Sequence, residues 1–276
     1  MDSQNSPTGK ENDQKMRKLI FFDIDGTLIS KGNQVLGEST KESLRKAREN
    51  GHICIVNTGR TWRMVGDWLP QQAEFDGYLL GCGTMVRYRG EVLLHRTFSP
   101  ADARRIMIAL DECGIDALLE GADNNYAKDI SKFQSESFRD HMRRRHPSDC
   151  LPWEEAAGNF DKFFVNQVES QRMELFQQQF KEELSFIDRD RGFWEIAPKG
   201  YSKGSAIAFL ADRLQIPIAD TVAVGDSNND LEMFQCAGIC IAMGNAADNI
   251  KDLADFITTD VMQDGIQNAL RWLEVI

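Results

Sequence analysis

The stretch KLIFFDIDGTLIS, Lys18 to Ser30, decides the fold. Four apolar residues, Leu19 to Phe22, run straight into two carboxylates spaced two apart, Asp23 and Asp25. A short aromatic and β-branched run of this kind predicts a buried strand, and its end delivers both carboxylates to one place. Gly26 lets the chain leave the strand in a conformation closed to other residues. Thr27 is expected to hydrogen-bond locally and hold the turn.

Outward from this strand, strands and helices alternate at both ends of the chain. STKESLRKAREN reads as a helix with a Ser39/Glu42 capping box and Gly51 at C′. HICIVNTGR is a second strand entering a turn, TWRMVGDWL a short helix stopped by Pro70, and FDGYLLGCGT a third strand ending in glycines. The C-terminal third repeats the rhythm, from a helix capped by Ser202 through the strand DTVAVGD to a last helix in DGIQNALRWLEV. Repeated βα units with continuously apolar strands imply an α/β fold, a Rossmann-like parallel sheet covered on both faces. The middle, 86–195, differs: a hairpin turning at Arg89-Gly90, a helix over Ser99 to Cys113, then further strands and one more helix. The expected organisation is a disordered tail over 1–15, a core domain over 16–85 and 196–276, and an inserted α+β domain over 86–195.

Composition narrows the function classes. The 276 residues suffice for one large domain or two modest ones, and 42% hydrophobic with 27% charged residues is ordinary for a soluble globular protein. No apolar run approaches the ~20 residues that span a bilayer, and the polar N-terminus has no signal-peptide core. The expectation is a cytoplasmic protein with no membrane partner. Six scattered cysteines without a C-x-x-C pair, and only four histidines, argue against structural zinc and for buried free thiols. A net charge of −11 argues against nucleic acid as a partner but not against a small anionic substrate. Monomer and homodimer both stay open.

The ends of the strands carry the chemistry. The first ends in Asp23 and Asp25, the second in Asn57, Thr58, Gly59 and Arg60, and TVAVGD in Asp226, followed by Ser227, Asn228, Asn229 and Asp230. Ligands of open parallel sheets bind beyond the carboxyl ends of the strands. Four carboxylates converging there repel one another unless a cation neutralises them, and hard oxygen ligands suit Mg²⁺. Lys203, at the start of a helix in YSKGSAI, adds a full positive charge to a helix N-terminus that already favours anions.

In this order DIDGTL, NTGR, SKGSA and GDSNND resemble the four motifs of the haloacid dehalogenase-like hydrolase superfamily. An insertion between the second and third motifs resembles the members with a C2-type cap domain. WEIAPKGYSKGSAI and GNAADNIKDLADFIT are similar to stretches of its Cof-type phosphatases. The resemblance spans residues 18 to 276.

It implies a Mg²⁺-dependent phosphatase acting on a small phosphorylated metabolite, a sugar phosphate or similar, through an aspartyl-phosphate. Asp23 is then the nucleophile and Asp25 the general acid and base. The implied metal set is Asp23, Asp25 through its backbone carbonyl, and Asp226, with Asp230 acting through water or behind the ligands. Thr58 and the Gly59 amide hold phosphate oxygens, Lys203 neutralises charge, and Asn229 hydrogen-bonds near the phosphate. A phosphotransferase or phosphomutase of the same fold, or a non-catalytic phosphometabolite-binding module, is the alternative. The stretches RRRH (Arg143 to His146), GADNNY (Gly121 to Tyr126) and DRDRG (Asp188 to Gly192) read first as a solvated helix face, a turn and a hairpin turn, and Arg60 as a structural salt bridge; the alternatives are that RRRH draws an anionic substrate and, as the resemblance implies for such cap loops, that GADNNY faces the cleft and chooses the substrate. The subgroup often has Asn-Gly-Ala after the third strand where this chain has GCGTMV, Gly81 to Val86, which points to altered substrate contacts at Cys82 or Thr84.

Overall fold

The computed structural model describes residues 17–276 except 130, 132, 134, 135, 146–149, 167, 168, 190 and 191. The tail expected over 1–15 lies outside the described residues, as do His146, Asp190 and Arg191. The chain opens with β1 (Leu19–Phe22), α1 (Glu38–Glu49), β2 (Ile53–Asn57), α2 (Trp62–Val65), β3 (Gly77–Leu80), β4 (Met85–Tyr88) and β5 (Glu91–His95). Next come α3 (Pro100–Glu112), β6 (Ala117–Glu120), β7 (Asn125–Ala127), α4 (Glu136–Arg145), β8 (Cys150–Pro152), β9 (Lys162–Val165), α5 (Ser170–Phe180), β10 (Leu184–Asp188) and β11 (Trp194–Pro198). It closes with α6 (Lys203–Leu214), β12 (Thr221–Gly225), α7 (Leu231–Cys236), β13 (Ile239–Ala242), α8 (Asp248–Lys251), β14 (Phe256–Ile257) and α9 (Gly265–Trp272).

Among the described residues the strands form two sheets. The larger runs β14-β13-β12-β1-β2-β3-β4-β5 and is parallel from β14 to β3. Every residue of β1, β2 and β12 is buried. Side chains of a strand alternate between faces, so this burial requires cover on both. Helix pairs α1 with α9 and α6 with α7 pack together around this sheet. The smaller sheet runs β10-β11-β9-β6-β7-β8 and is antiparallel except at β7 with β8. It has its own apolar cluster, from Phe98 to Ile196, built with α3 and α5.

Several local expectations need correction. The hairpin of β4 and β5, read as part of the 86–195 insertion, pairs onto β3 and extends the larger sheet. The edge of β3 offers unpaired backbone groups, and Arg89 and Gly90 (φ 49° and 86°) form the tight turn that returns β5 beside β4. The Ser39/Glu42 capping box does not form. Gly37 is the N-cap without a side-chain bond, Ser39 Oγ donates to Asp264 Oδ1 at 2.6 Å, and Glu42 pairs with Arg45. Helix α2 ends at Gly66, which has φ 52°, ahead of Pro70. By contrast, Ser99 and Ser202 cap α3 and α6 as their sequences predict. Cys54, Cys82 and Cys240 are free thiols and buried. No helix among the described residues is long and apolar enough to cross a membrane.

Candidate active site

Parallel pairing sets the site. Phe22 lies opposite both Val224 and Val56, so the chain leaves β1, β2 and β12 at one edge. The Asp23 amide donates to Val224 O at 3.0 Å and fixes the first residue past the strand. Asp23, Thr58 and Asp226 therefore emerge side by side, all buried. Gly26 turns the chain with φ 97°, and a Cβ built there would sit 2.3 Å from Asp226 Oδ2. Only glycine admits both the backbone angle and the neighbouring carboxylate. The Thr27 hydroxyl, expected to hold this turn, is buried without a hydrogen-bond partner; backbone bonds to Ile24 O and Ile29 O close the turn instead.

Lys203 stands fully buried at the first position of α6. Its Nζ donates to Asp23 Oδ1 at 2.6 Å and to Asp230 Oδ1 at 2.7 Å. Burial works against its charge, but Asp23 and Asp230 outweigh burial and hold its pKa above the ordinary lysine range. Asp230 Oδ2 accepts from the amides of Asp226 and Ser227 at 2.9 and 3.0 Å. Both oxygens of Asp230 are thus engaged by the protein itself. Asn57 Nδ2 donates to Lys203 O at 3.1 Å and ties the start of α6 to the end of β2.

Asp226 has no such support. Neither of its buried oxygens accepts a hydrogen bond; the largely exposed Lys31 Nζ lies 3.0 Å from Oδ2 as an ion pair without hydrogen-bond geometry. Burial, reinforced by Asp230, pushes its carboxyl up to about 6. Burial also raises Asp23, with Lys203 opposing and Asp230 and Asp226 adding to the rise. Carboxylate oxygens of Asp23, Asp226 and Asp230 lie within 4.8 Å of one another. A buried carboxylate with no hydrogen bond and only an exposed lysine beside it, inside a cluster of hard oxygens, is the donor set a Mg²⁺ ion suits. Asp25, expected to reach the metal through its backbone carbonyl, has its carboxylate outside this group.

The Asp25 carboxylate turns to Arg60 instead. Arg60 Nε and Nη2 donate to its two oxygens at 2.8 and 2.6 Å. The salt bridge expected of Arg60 is real, and it holds a residue of the site itself. Thr58 Oγ1 accepts from the Arg60 amide at 3.2 Å. At Gly59 a Cβ would meet Glu195 Oε1 at 2.6 Å, so a bare backbone is required there. Asn229 Oδ1 accepts from Ser227 Oγ at 2.7 Å.

A cleft of about 540 Å³ opens over this edge. Asp23, Asp25, Thr58, Gly59, Arg60 and Asn229 line one side. The opposite side comes from the smaller sheet, through Glu120, Asn125, Lys162, Phe164, Phe193 and Glu195. Sequence reasoning left these residues out. GADNNY contains the turn, closed by the Gly121 amide on Asn124 O, and its Asn125 faces the cleft, as the resemblance implied for this loop. In DRDRG, Arg189 lines the cleft and its Nη1 donates to Glu195 Oε2 at 2.8 Å. Arg143 pairs with Asp140, as a solvated helix face would. The GCGTMV departure does not line the cleft: Cys82 (φ 56°) is buried, and the Thr84 hydroxyl donates to Gly81 O. The close approach of Gly83 to Ser202 O, 2.2 Å from a built Cβ, accounts for that glycine.

Comparison with known proteins gives one family. Its model, described as haloacid dehalogenase-like hydrolase, matches residues 20–270. YkrA of Bacillus subtilis (strain 168) is 30% identical over 275 residues, covering 94% of this chain and 98% of that protein. The 5-amino-6-(5-phospho-D-ribitylamino)uracil phosphatase YcsE of the same organism is 26% identical, covering 92% of this chain and 94% of that one. A solved Bacteroides thetaiotaomicron structure, described among the phosphatases of the haloalkanoate (HAD) enzyme superfamily, superposes with a TM-score of 0.83. It is 23% identical and covers 99% of this chain and 100% of its own.

Proposed function

We propose, from the premise that the chain belongs to the haloacid dehalogenase-like hydrolase family and is a phosphatase of it, that it hydrolyses a small phosphorylated metabolite through an aspartyl-phosphate on Asp23. The substrate class is a sugar phosphate or a similar monoester. One observation carries this reading: the buried chain Asp23–Lys203–Asp230 beside a buried Asp226 that accepts no hydrogen bond, at the carboxyl edge of a parallel sheet and facing a cleft.

Lys203 holds Asp23 Oδ1, which leaves Oδ2 to attack phosphorus. The bond to the leaving oxygen breaks, and Asp25 gives that oxygen its proton. In the second half Asp25 takes a proton from water, whose oxygen attacks phosphorus and frees Asp23. A carboxylate clasped on both oxygens by a guanidinium has none to offer a leaving group, so Asp25 must turn off Arg60 to act. The Thr58 hydroxyl, with its oxygen accepting from Arg60, keeps its hydrogen to donate to a phosphate oxygen. The Gly59 amide and Asn229, which line the cleft, would do the same. Asp23, Asp226 and the Asp25 carbonyl would hold Mg²⁺, and Asp230, already engaged by Lys203 and two amides, would steady Asp226 from behind. The ion, when bound, supplies positive charge for the carboxylate cluster and the phosphoryl oxygens.

The test is hydrolysis of an aryl phosphate with and without Mg²⁺ by the natural chain and by Asp23→Asn. Mg²⁺-dependent turnover that vanishes in the variant supports the reading; turnover retained in Asp23→Asn removes Asp23 as nucleophile.

A further inference from the structure

Strand register explains why the smaller sheet turns polar groups toward the cleft. Glu120 stands opposite Asn125 on β7 and opposite Lys162 on β9, and Phe164 stands opposite Glu195 on β11. Alternation puts these five side chains on one face. Leu119, Phe163, Val165 and Ile196 occupy the other face, in the cluster with α3 and α5.

The charges of this wall are already matched. Lys162 Nζ lies 2.8 Å from Glu120 Oε2 and donates to Glu195 Oε1. Arg189 takes the second oxygen of Glu195. Glu195 is buried, which opposes its charge, yet Lys162 and Arg189 together hold its pKa well below the usual range. Glu120 shares only Lys162, and there burial prevails and raises it. Among the described residues of this wall two cations are committed to two carboxylates, which leaves no cation to spare for an anion.

What remains unfilled is hydrogen-bond acceptance. Asn125 is buried, and its Oδ1 has no hydrogen-bond partner. Glu120 Oε2, close as it is to Lys162, receives no bond of good geometry. An unfilled buried acceptor is costly unless a ligand brings it a donor. Beside these atoms Phe164 and Phe193 form a tilted pair, 5.2 Å between centroids, which offers an apolar surface.

We infer that this wall selects a neutral leaving group: one whose hydroxyl or N–H donors meet Asn125 Oδ1 and Glu120, and whose C–H or ring face rests on Phe164 and Phe193. A leaving group carrying a carboxylate or a second phosphate is disfavoured at this wall, because it would set a desolvated anion against two acceptors. The inference rests on the phosphatase reading and names the substrate class of the same site.

The experiment compares sorbitol 6-phosphate with 6-phosphogluconate, equal in length and differing by a terminal hydroxymethyl or carboxylate, on the full chain with Mg²⁺. An ester that is not turned over is read by its inhibition constant. Preference for the neutral ester by about tenfold or more is expected. Asn125→Leu should narrow that ratio, and Asn125→Lys, which pairs with Glu120 opposite and gives the wall one net positive charge, should narrow it further. Equal or better use of 6-phosphogluconate by the natural chain overturns the inference, as does a ratio unmoved by both variants. Absence of Mg²⁺-dependent aryl phosphate hydrolysis is a different failure: it overturns the phosphatase reading, and the inference falls with it.

Discussion

Replacing Asp226 by Asn should stabilise the metal-free protein while disabling the enzyme. In the fold the Asp226 carboxyl is raised from 3.8 to about 6, first by burial and then by Asp230. A shift of about 2 units corresponds to about 3 kcal/mol, and with Asp226 1% exposed there is no solvent screening to discount. The folded state binds a proton that the unfolded state has released, so stability falls as pH rises from about 4 to about 6 and stays low above. Above that window the ionised Asp226 destabilises the metal-free fold, and Asn removes the charge. A buried amide without partners returns about 1 kcal/mol of that gain, leaving about 2 kcal/mol, or about 4 °C in Tm for a chain of this size. Excess Mg²⁺ should invert the order, since a ligand at about a hundred times its Kd adds about 2.7 kcal/mol to the natural chain and little to the variant. The assay is thermal unfolding in EDTA and in Mg²⁺, at about pH 8 and at about pH 4. A variant less stable than the natural chain in EDTA at the higher pH, or a gap that persists at the lower, would refute the reasoning.

Lys203→Met leaves Asp23 and Asp230 buried without their shared cation; breaking such a pair costs about 3–5 kcal/mol, so denaturant unfolding should shift by that amount and turnover should fall with it. Gly26→Ala drives a methyl into Asp226 at a positive φ; isothermal titration should show weakened Mg²⁺ binding, and unchanged affinity would discount the close approach. His95 Nε2 contacts both oxygens of Asp161 at 3.0 and 3.1 Å, linking β5 to the start of β9. The bond to Asp161 raises the His95 pKa, while burial raises Asp161 in spite of the histidine. With a raised folded pKa, the stabilisation is present below the unfolded value of about 6.5 and is lost as pH climbs through the folded one. The Tm gap between the natural chain and His95→Gln should therefore narrow with rising pH; a gap that widens would contradict the pairing.

The catalytic edge was legible because its groups sit directly after apolar strands. Asp23, Thr58 and Asp226 each end or follow a buried run, and parallel pairing then brings such ends together regardless of how far apart they lie in sequence. The opposite wall was not legible. Glu120, Lys162 and Glu195 meet only through the register of β6, β9 and β11, which no local pattern announces. The one hint was a lysine set directly before the apolar run of KFFV, a charge placed in a strand that buries all four of its residues. Long-range competition also undid local rules: Ser39 left its capping box for Asp264, 225 residues away. Cys82 looked like a substrate contact because of the motif it interrupts, but it is buried and does not line the cleft. The hairpin of β4 and β5 was placed with the insertion because sequence order does not reveal which sheet an edge strand will extend.

The most direct test of the chemistry is to trap the phosphorylated residue. Acid quench during turnover, followed by borohydride, reduces an acyl-phosphate aspartate to homoserine, and peptide mass spectrometry then locates it. Homoserine at position 23, dependent on substrate and absent from Asp23→Asn, is the expected result. Turnover with no homoserine at position 23, or with the label at position 25, would contradict the central role given to Asp23.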